Sequence, residues 1–464
     1  MRKKIRIHNP YTGDLLAVFD AHSEQQVKKL ISSSFKYQNR LSIEEKRRIL
    51  LNSAKELHKR RSELSRLITS ESGLCLKDTG NEVKRTVSVI REAVQLANNI
   101  DAISLAEFSE YSDSKLKIIA EPFNLILAVT PFNHPINQIA HKICPAIAVG
   151  SKILVKPSEK TLLSAMALLE IFYDNGLKKE AVRPIIIPKE EKIFEKLISS
   201  PFIQVIAFTG SFKTGKLMNK LLLRNNRWNV KQIYELGGSS PLVVADDADI
   251  KTAVNVALSV FQHSGQRCTT IRKIFVCESI FSEFLEKFIS VTGKLRVGNP
   301  LNKNTDVGTL IDQEAAKRVE GKVKKAISEG AKLVFGGKRD GAQYHPTILT
   351  DVNPNSNLIK EETFGPVAPI LKIKTIDEAI RITLKHDYLL AGAIVTKSKK
   401  KAIHLSENIG VGQFNWNAPP SYRKEFAPFG GFGKSGNGIK EGVILLGKQY
   451  MKIRTFYSQG RQGI

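Results

Sequence analysis

Residues 203–215, IQVIAFTGSFKTG, decide the reading of the fold. A short apolar run, IQVIAF, meets a Thr-Gly-Ser turn, and a helical pattern follows over 212–222. An apolar strand that ends on glycine and opens a helix is the building unit of a parallel sheet with helices on its faces. The glycine turn exposes free N–H groups at the helix N-terminus, where a pyrophosphate can sit. Many such turns are only turns, so the neighbouring sequence has to give this one its meaning.

Upstream, strands LILAVT (125–130), KILVK (152–156) and RPIIIP (183–188) alternate with helices over 136–149, 160–174 and 190–199. Downstream, VKQIYE ends on Glu235, and the pattern restarts after ELGGSSP (235–241). The second series comprises LVVA (242–245), a helix over 249–264, KIFVC (273–277) and a helix over 279–292. Strands VAPILKI (367–373), AGAIVT (391–396) and VGQFNW (411–416) complete it. The alternation predicts an α/β protein with mostly parallel sheets, in two units that meet near 235/236. Ahead of both, Ser42 and Glu45 make a capping box for one long helix over 42–73, stopped by Gly73, and a second helix covers 80–98.

Bulk properties narrow the class. The chain has 464 residues, 42% hydrophobic and 25% charged, which fits a soluble globular protein of two or three domains. No apolar run approaches the roughly 18–20 residues of a membrane span. The start, MRKKIRIHNP, lacks the apolar segment of a signal peptide. Cys75, Cys144, Cys268 and Cys277 are scattered without paired spacing, which argues against a disulfide framework and against a metal site. Cytoplasm is the expected compartment. The net charge of +26 is spread through KKL, KRR, KLK and KSKKK without interleaved aromatics. That distribution reads as solvated helix faces rather than a nucleic-acid stripe, although a positive field still draws anions.

Several motifs carry possible chemistry. FGKSG (432–436) is not a P-loop, because the earlier glycine of that motif falls on Pro428. No GxGxxG follows a strand. Lys156 ends KILVK at the edge where parallel sheets bind ligands, with Glu159 three residues on. They read as a ribose-binding pair or as two surface charges. Glu235 stands before Gly-Gly at a strand end, either a poised carboxylate or an ordinary one. Asn133, in TPFNHP, is an oxyanion donor or a helix cap. Cys268 follows a Ser-Gly-Gln-Arg turn in HSGQRCTT, a setting that a buried structural cysteine does not require.

Together TPFNHP, KPSEK, FTGS, ELGGSSP, SGQRCT, EETFGPV and PFGGFGKSG, in that order, resemble the aldehyde dehydrogenase superfamily over residues 8–455. The resemblance implies a Rossmann-like cofactor domain, an α/β catalytic domain and a small β oligomerisation element. By analogy these take 1–103 with 123–235, then 236–435, then 104–122 with 436–464, in a homodimer or homotetramer. It also implies that Cys268 is the nucleophile, Glu235 the general base, and Asn133 with the Cys268 N–H the oxyanion hole. Lys156 and Glu362 match the family's ribose-binding pair, and Phe364 its nicotinamide-side aromatic. Gly210 and Ser211 match the pyrophosphate turn, and Glu159 the acid that takes the adenosine 2′-hydroxyl. A carboxylate there favours NAD over NADP, with NADP also possible.

Arg267 beside Cys268, with His134 after Asn133, suggests a small aldehyde with an anionic tail. The run PFNHPINQIAHKICPAIA resembles phosphonoacetaldehyde dehydrogenases, and SGQRCT resembles non-phosphorylating glyceraldehyde-3-phosphate dehydrogenases. Phosphonoacetaldehyde is the first expectation; glyceraldehyde 3-phosphate, lactaldehyde or another small aldehyde is the alternative. Arg423, in PPSYRKEF, is a further candidate. No membrane or nucleic-acid partner is expected. The competing class is a non-catalytic basic protein on the same scaffold that binds nucleic acid.

Overall fold

The computed structural model describes residues 3–99, 116–188 and 190–457. Strands Leu125–Val129, Lys152–Lys156, Val182–Pro184, Val205–Thr209 and Lys231–Glu235 form one sheet in which every neighbouring pair is parallel. Leu125–Val129 and Val205–Thr209 are buried along their whole length, as strands covered on both faces must be. The sheet order puts Leu125–Val129 between Lys152–Lys156 and Val205–Thr209. The chain therefore runs outward from that strand first one way and then the other, which opens a crevice at the carboxyl ends. Lys156 and the turn at 209–211 both stand at that edge.

Helices Ile43–Lys59, Leu76–Asn98, Asn137–Val149 and Leu162–Asp174 bury apolar residues on one face of this sheet. Helices Glu24–Lys36, Glu191–Ile198 and Phe212–Arg224 cover the other. Helices Asn137–Val149 and Leu162–Asp174 have no side-chain cap of their own. Glu82 supplies one from a distance: its Oε1 accepts from the N–H groups of Ile136 and Asn137. Glu71 does the same for Leu162–Asp174, accepting from the N–H groups of Leu163 and Ser164.

The second sheet has the order Lys332–Phe335, Thr347–Thr350, Val367–Ile373, Ile271–Cys277, Ser240–Val244, Ala391–Val395, Gln413–Trp416. Its outer pair, Lys332–Phe335 with Thr347–Thr350, is antiparallel and the other pairs are parallel. The first sheet ends at Glu235 and the second begins at Ser240, so the ELGGS link carries the chain from one to the other. A third, two-stranded sheet pairs Leu116–Pro122 with Met451–Tyr457 antiparallel.

Some expectations change. The helix expected over 42–73 keeps its capping box at Ser42 and its left-handed stop at Gly73, but it breaks at Arg60 into Ile43–Lys59 and Arg61–Ser72. The helix expected over 249–264 ends at Ala257 and tightens into a 3-10 turn. The strand expected over 183–188 covers only Val182–Pro184, since Pro184 has no N–H to extend the ladder. Residues 436–464, expected as part of the oligomerisation element, contain a helix as well as a strand. Helix Val443–Gln449 inserts Val443 and Leu446 into the core of the five-stranded sheet, because both are apolar and fully buried there. Residues 104–115 and 458–464 of that expected element lie outside the described residues. Among the described residues, no helix is long and apolar enough to cross a membrane.

Candidate active site

Glu235 is the last residue of its strand, and the two glycines after it explain how it meets the rest of the site. A Cβ on Gly237 would stand 2.4 Å from Glu362 Oε2, and one on Gly238 would stand 2.1 Å from the Cys268 carbonyl oxygen. Only glycine lets the strand end pack against both loops. The Gly238 N–H donates to Glu362 Oε1 at 3.1 Å, fixing that carboxylate.

The Cys268 loop is shaped by three successive left-handed residues, His263 (φ 53), Ser264 (φ 50) and Gly265 (φ 70). The two non-glycine residues are strained, at a cost on the order of 1–3 kcal/mol each. Asp78 secures them: its Oδ2 accepts the His263 N–H at 3.2 Å, and its Oδ1 lies 2.9 Å from His263 Nδ1. Gln266 is pinned as well, its Oε1 accepting the Ile311 N–H and its Nε2 donating to the Thr309 carbonyl. Asn133 Nδ2 donates to the Gln266 carbonyl at 2.9 Å. One amide hydrogen thus anchors Asn133 beside Cys268 and leaves a second donor for a ligand.

A cleft of about 320 Å³ has Asn133, Gly210, Ser211, Glu235, Cys268, Glu362 and Phe364 on its walls. A second, of about 400 Å³, is lined by Lys156, Glu159, Glu190, Glu191, Thr214 and Leu217. The turn at 209–211 and the helix it opens bring the two clefts together. Ser211 caps that helix, accepting from the Thr214 N–H at 3.2 Å. At Gly210 a Cβ would stand 2.6 Å from the Phe208 ring, so the turn is closed to larger residues. The Thr209 hydroxyl is buried without a partner at the rim. An extended dinucleotide fits this arrangement: a glycine turn and helix N-terminus at its centre, with the Glu362 and Lys156–Glu159 ends for ribose hydroxyls. The Lys156–Glu159 pair is 3.3 Å apart. Among the described residues no cluster of His, Cys, Asp and Glu is arranged to hold a metal ion.

Burial pushes the Cys268 thiol well above the usual thiol range, and the charges of Glu235 and Glu362 push the same way. Arg423 opposes them. Glu235 is raised to about 8, first by burial and then by the charge of Glu441; the Cys268 thiol and Lys142 pull it back. Lys142 and Glu441 form a buried ion pair behind Glu235. The sequence reading passed over both. The available signal was a lysine at the centre of a helix otherwise composed for burial, AHKICPA, which needs a buried counter-charge.

Arg267 and His134 are not on the wall of this cleft. Arg267 donates from Nη2 to His263 Nε2 at 3.0 Å. Burial, and then the Arg267 charge, push His263 down to about 4, so its ring is neutral at physiological pH. A neutral ring that accepts at Nε2 carries its proton on Nδ1, toward Asp78. The His134 ring is 6% exposed, packs 4.8 Å from the His263 ring and lies 3.8 Å from Glu82 Oε2. His134, expected as a substrate contact, is thus buried away from the cleft wall. Asn133 faces the cysteine loop, and the next side chain turns into the protein. Arg423 stacks over Phe429 at 4.0 Å and stands 3.7 Å from Glu425, and its charge reaches both Cys268 and Glu235.

A model of the aldehyde dehydrogenase family matches residues 1–456. The chain is 35% identical to a lactaldehyde dehydrogenase of Methanocaldococcus jannaschii, covering 98% of this chain and 97% of that protein. It is 33% identical to a 3-sulfolactaldehyde dehydrogenase of Priestia aryabhattai, covering 95% and 92%. Among solved structures, a glyceraldehyde-3-phosphate dehydrogenase of M. jannaschii complexed with NADP superposes with a TM-score of 0.90 at 33% identity, covering 99% of this chain and 100% of that one. The protein belongs to the aldehyde dehydrogenase family and is an NAD(P)-dependent oxidoreductase acting on aldehydes.

Proposed function

We propose that Cys268, Glu235 and Asn133 oxidise a small 2-hydroxyaldehyde to its carboxylate. The observation that carries this reading is their convergence on one cleft with Glu362 and Phe364. Cys268 gives its proton to the adjoining Glu235 carboxylate, and the thiolate adds to the carbonyl carbon. The free Asn133 N–H, with the Cys268 N–H, stabilises the oxyanion of the thiohemiacetal. When bound, the nicotinamide accepts the hydride that this adduct loses. Glu235 releases that proton to solvent and then takes one from water, which it later returns to the sulfur. The resulting hydroxide opens the thioester, releasing the acid and restoring the thiol. Lys156, Glu159, Gly210, Ser211, Glu362 and Phe364 hold the cofactor. The acids Glu159, Glu190 and Glu191 around the outer cleft favour ribose hydroxyls over a 2′-phosphate, so NAD is the proposed partner and NADP the weaker one.

Lactaldehyde, 3-sulfolactaldehyde and glyceraldehyde 3-phosphate, the substrates in the names of the similar proteins, are all three-carbon aldehydes with a hydroxyl on C2. We extend that class to this chain. Arg423, whose charge reaches Cys268, favours an anionic group on C3. Phosphonoacetaldehyde lacks the C2 hydroxyl and belongs in the test as a competitor. The test is a panel of lactaldehyde, 3-sulfolactaldehyde, glyceraldehyde 3-phosphate, phosphonoacetaldehyde and propanal, each with NAD and NADP, followed by nicotinamide absorbance. The class stands if the three hydroxyaldehydes exceed propanal at least tenfold in kcat/KM. It falls if propanal or phosphonoacetaldehyde leads.

The proposed division of labour assigns the five-stranded unit to the cofactor and the seven-stranded unit to catalysis. The Leu116–Pro122/Met451–Tyr457 ribbon joins subunits of a homodimer or homotetramer. Four unpaired thiols favour the cytoplasm as the compartment.

A further inference from the structure

We infer that Arg272 is a positioning residue that couples the Cys268 loop to the loop carrying Glu362 and Phe364. The inference rests on the reading of Cys268 as the nucleophile and of the 362–365 loop as a cofactor contact. Arg272 is 1% exposed, at the second position of strand Ile271–Cys277. Its Nη2 donates to the carbonyls of Gly265, at 2.7 Å, and Arg267, at 2.9 Å. Its Nη1 donates to the Gly365 carbonyl at 3.2 Å. The first two oxygens belong to the turn that presents Cys268, and the third follows Phe364 directly. The guanidinium also lies 5.5 Å from the centre of the Phe364 ring.

The two loops are pressed together at the same place. A Cβ on Gly265 would stand 2.1 Å from the Gly365 carbonyl oxygen, so backbone meets backbone there. Arg272 spans that seam with one planar fork. The charges that act on it are those of Glu362 and Cys268. Its three bonded acceptors are neutral carbonyls, and its charge is shared between Glu362 and a thiolate at Cys268. A displacement of Phe364 by a bound nicotinamide ribose is thereby passed to the thiol through a single rigid group. Lysine can restore the charge but not the fork, since an ammonium lacks the planar geometry that meets three carbonyls at once.

The test is the rate of Cys268 alkylation by iodoacetamide against pH, with and without saturating NAD, located by mass spectrometry. The other three cysteines are buried, which leaves Cys268 as the reporting thiol. In the wild-type enzyme NAD changes the rate at neutral pH at least threefold. Arg272→Lys keeps the cofactor-free pH profile and loses that response. Arg272→Gln also moves the profile about one unit alkaline, roughly a tenfold slower reaction at neutral pH. An unchanged profile and an unchanged NAD response in both variants, with only a lower melting temperature, would make Arg272 structural and overturn the proposal. If Arg272→Gln does not fold, Arg272→Lys decides alone: a full NAD response overturns the coupling. A wild-type enzyme without any NAD response overturns it as well. Turnover by Cys268→Ala, measured separately, sinks the underlying reading instead.

Discussion

At neutral pH a carboxyl group raised to about 8, as Glu235 is, sits mostly protonated. Only its ionised form can take a proton from water. Hydrolysis of the acyl-enzyme should therefore accelerate from pH 6 toward 8, nearly tenfold per unit at first, and level off above the pKa. Steady-state kcat against pH checks this, and a flat profile refutes the assignment. Glu235→Gln should give one burst of NADH and at least a hundredfold slower turnover after it. Asn133→Ala should cost about 10²–10³ in kcat with cofactor binding intact. Cys268, Glu235 and Asn133, which line one cleft, could be picked out in the sequence because each sits in a short motif of unusual residues. Lys142, Glu441 and Arg272 were not, because their meaning depends on partners brought in by the fold. Glu441 reaches Lys142 from the far end of the chain, and Arg272 binds carbonyls, which carry no side-chain signature. Arg267 was noticed in the sequence, but its tether to His263 and Asp78 was not.

Among the elements, the turn ahead of Cys268 combines backbone strain with a distant anchor. Asp78→Asn removes the charge that faces His263 and weakens the hold on two left-handed residues. It should lower kcat at least tenfold while the cofactor dissociation constant stays within twofold, as stopped-flow and titration will report. Equal losses in both would instead mark general disorder of the fold. The ribbon Met451–Tyr457 exposes Ile453, Phe456 and Tyr457. Replacing Ile453 and Phe456 with lysine should shift the protein to a monomer in sedimentation velocity; an unchanged sedimentation coefficient removes the ribbon from the interface. Strands of the central sheets were readable as apolar runs. The stretch 293–366 was not, although it contains helix Gln313–Ser328. That helix buries Ala315, Ala316, Val319, Val323 and Ala326, a stripe of small residues among lysines that gives little hydrophobic contrast. The break at Arg60 has no proline or glycine to announce it.

Taken whole, the molecule carries a net charge of +26, and with that comes a field that acts before contact. Raising ionic strength from about 0.05 to 0.5 M should lower kcat/KM for an anionic aldehyde severalfold and leave that for a neutral one nearly unchanged, because the screening length falls below about 5 Å. Equal salt dependence for both would assign the charge to solubility alone. The borrowed caps of Glu71 and Glu82 bear on a different matter, modularity. Each closes a helix of the five-stranded unit with a carboxylate from the preceding all-helical segment, at about 1 kcal/mol apiece. The five-stranded unit is thus not a self-sufficient cassette. Excised without its leading helices it would bare two helix ends and a large apolar face, so transplanting or permuting it requires carrying that first segment along.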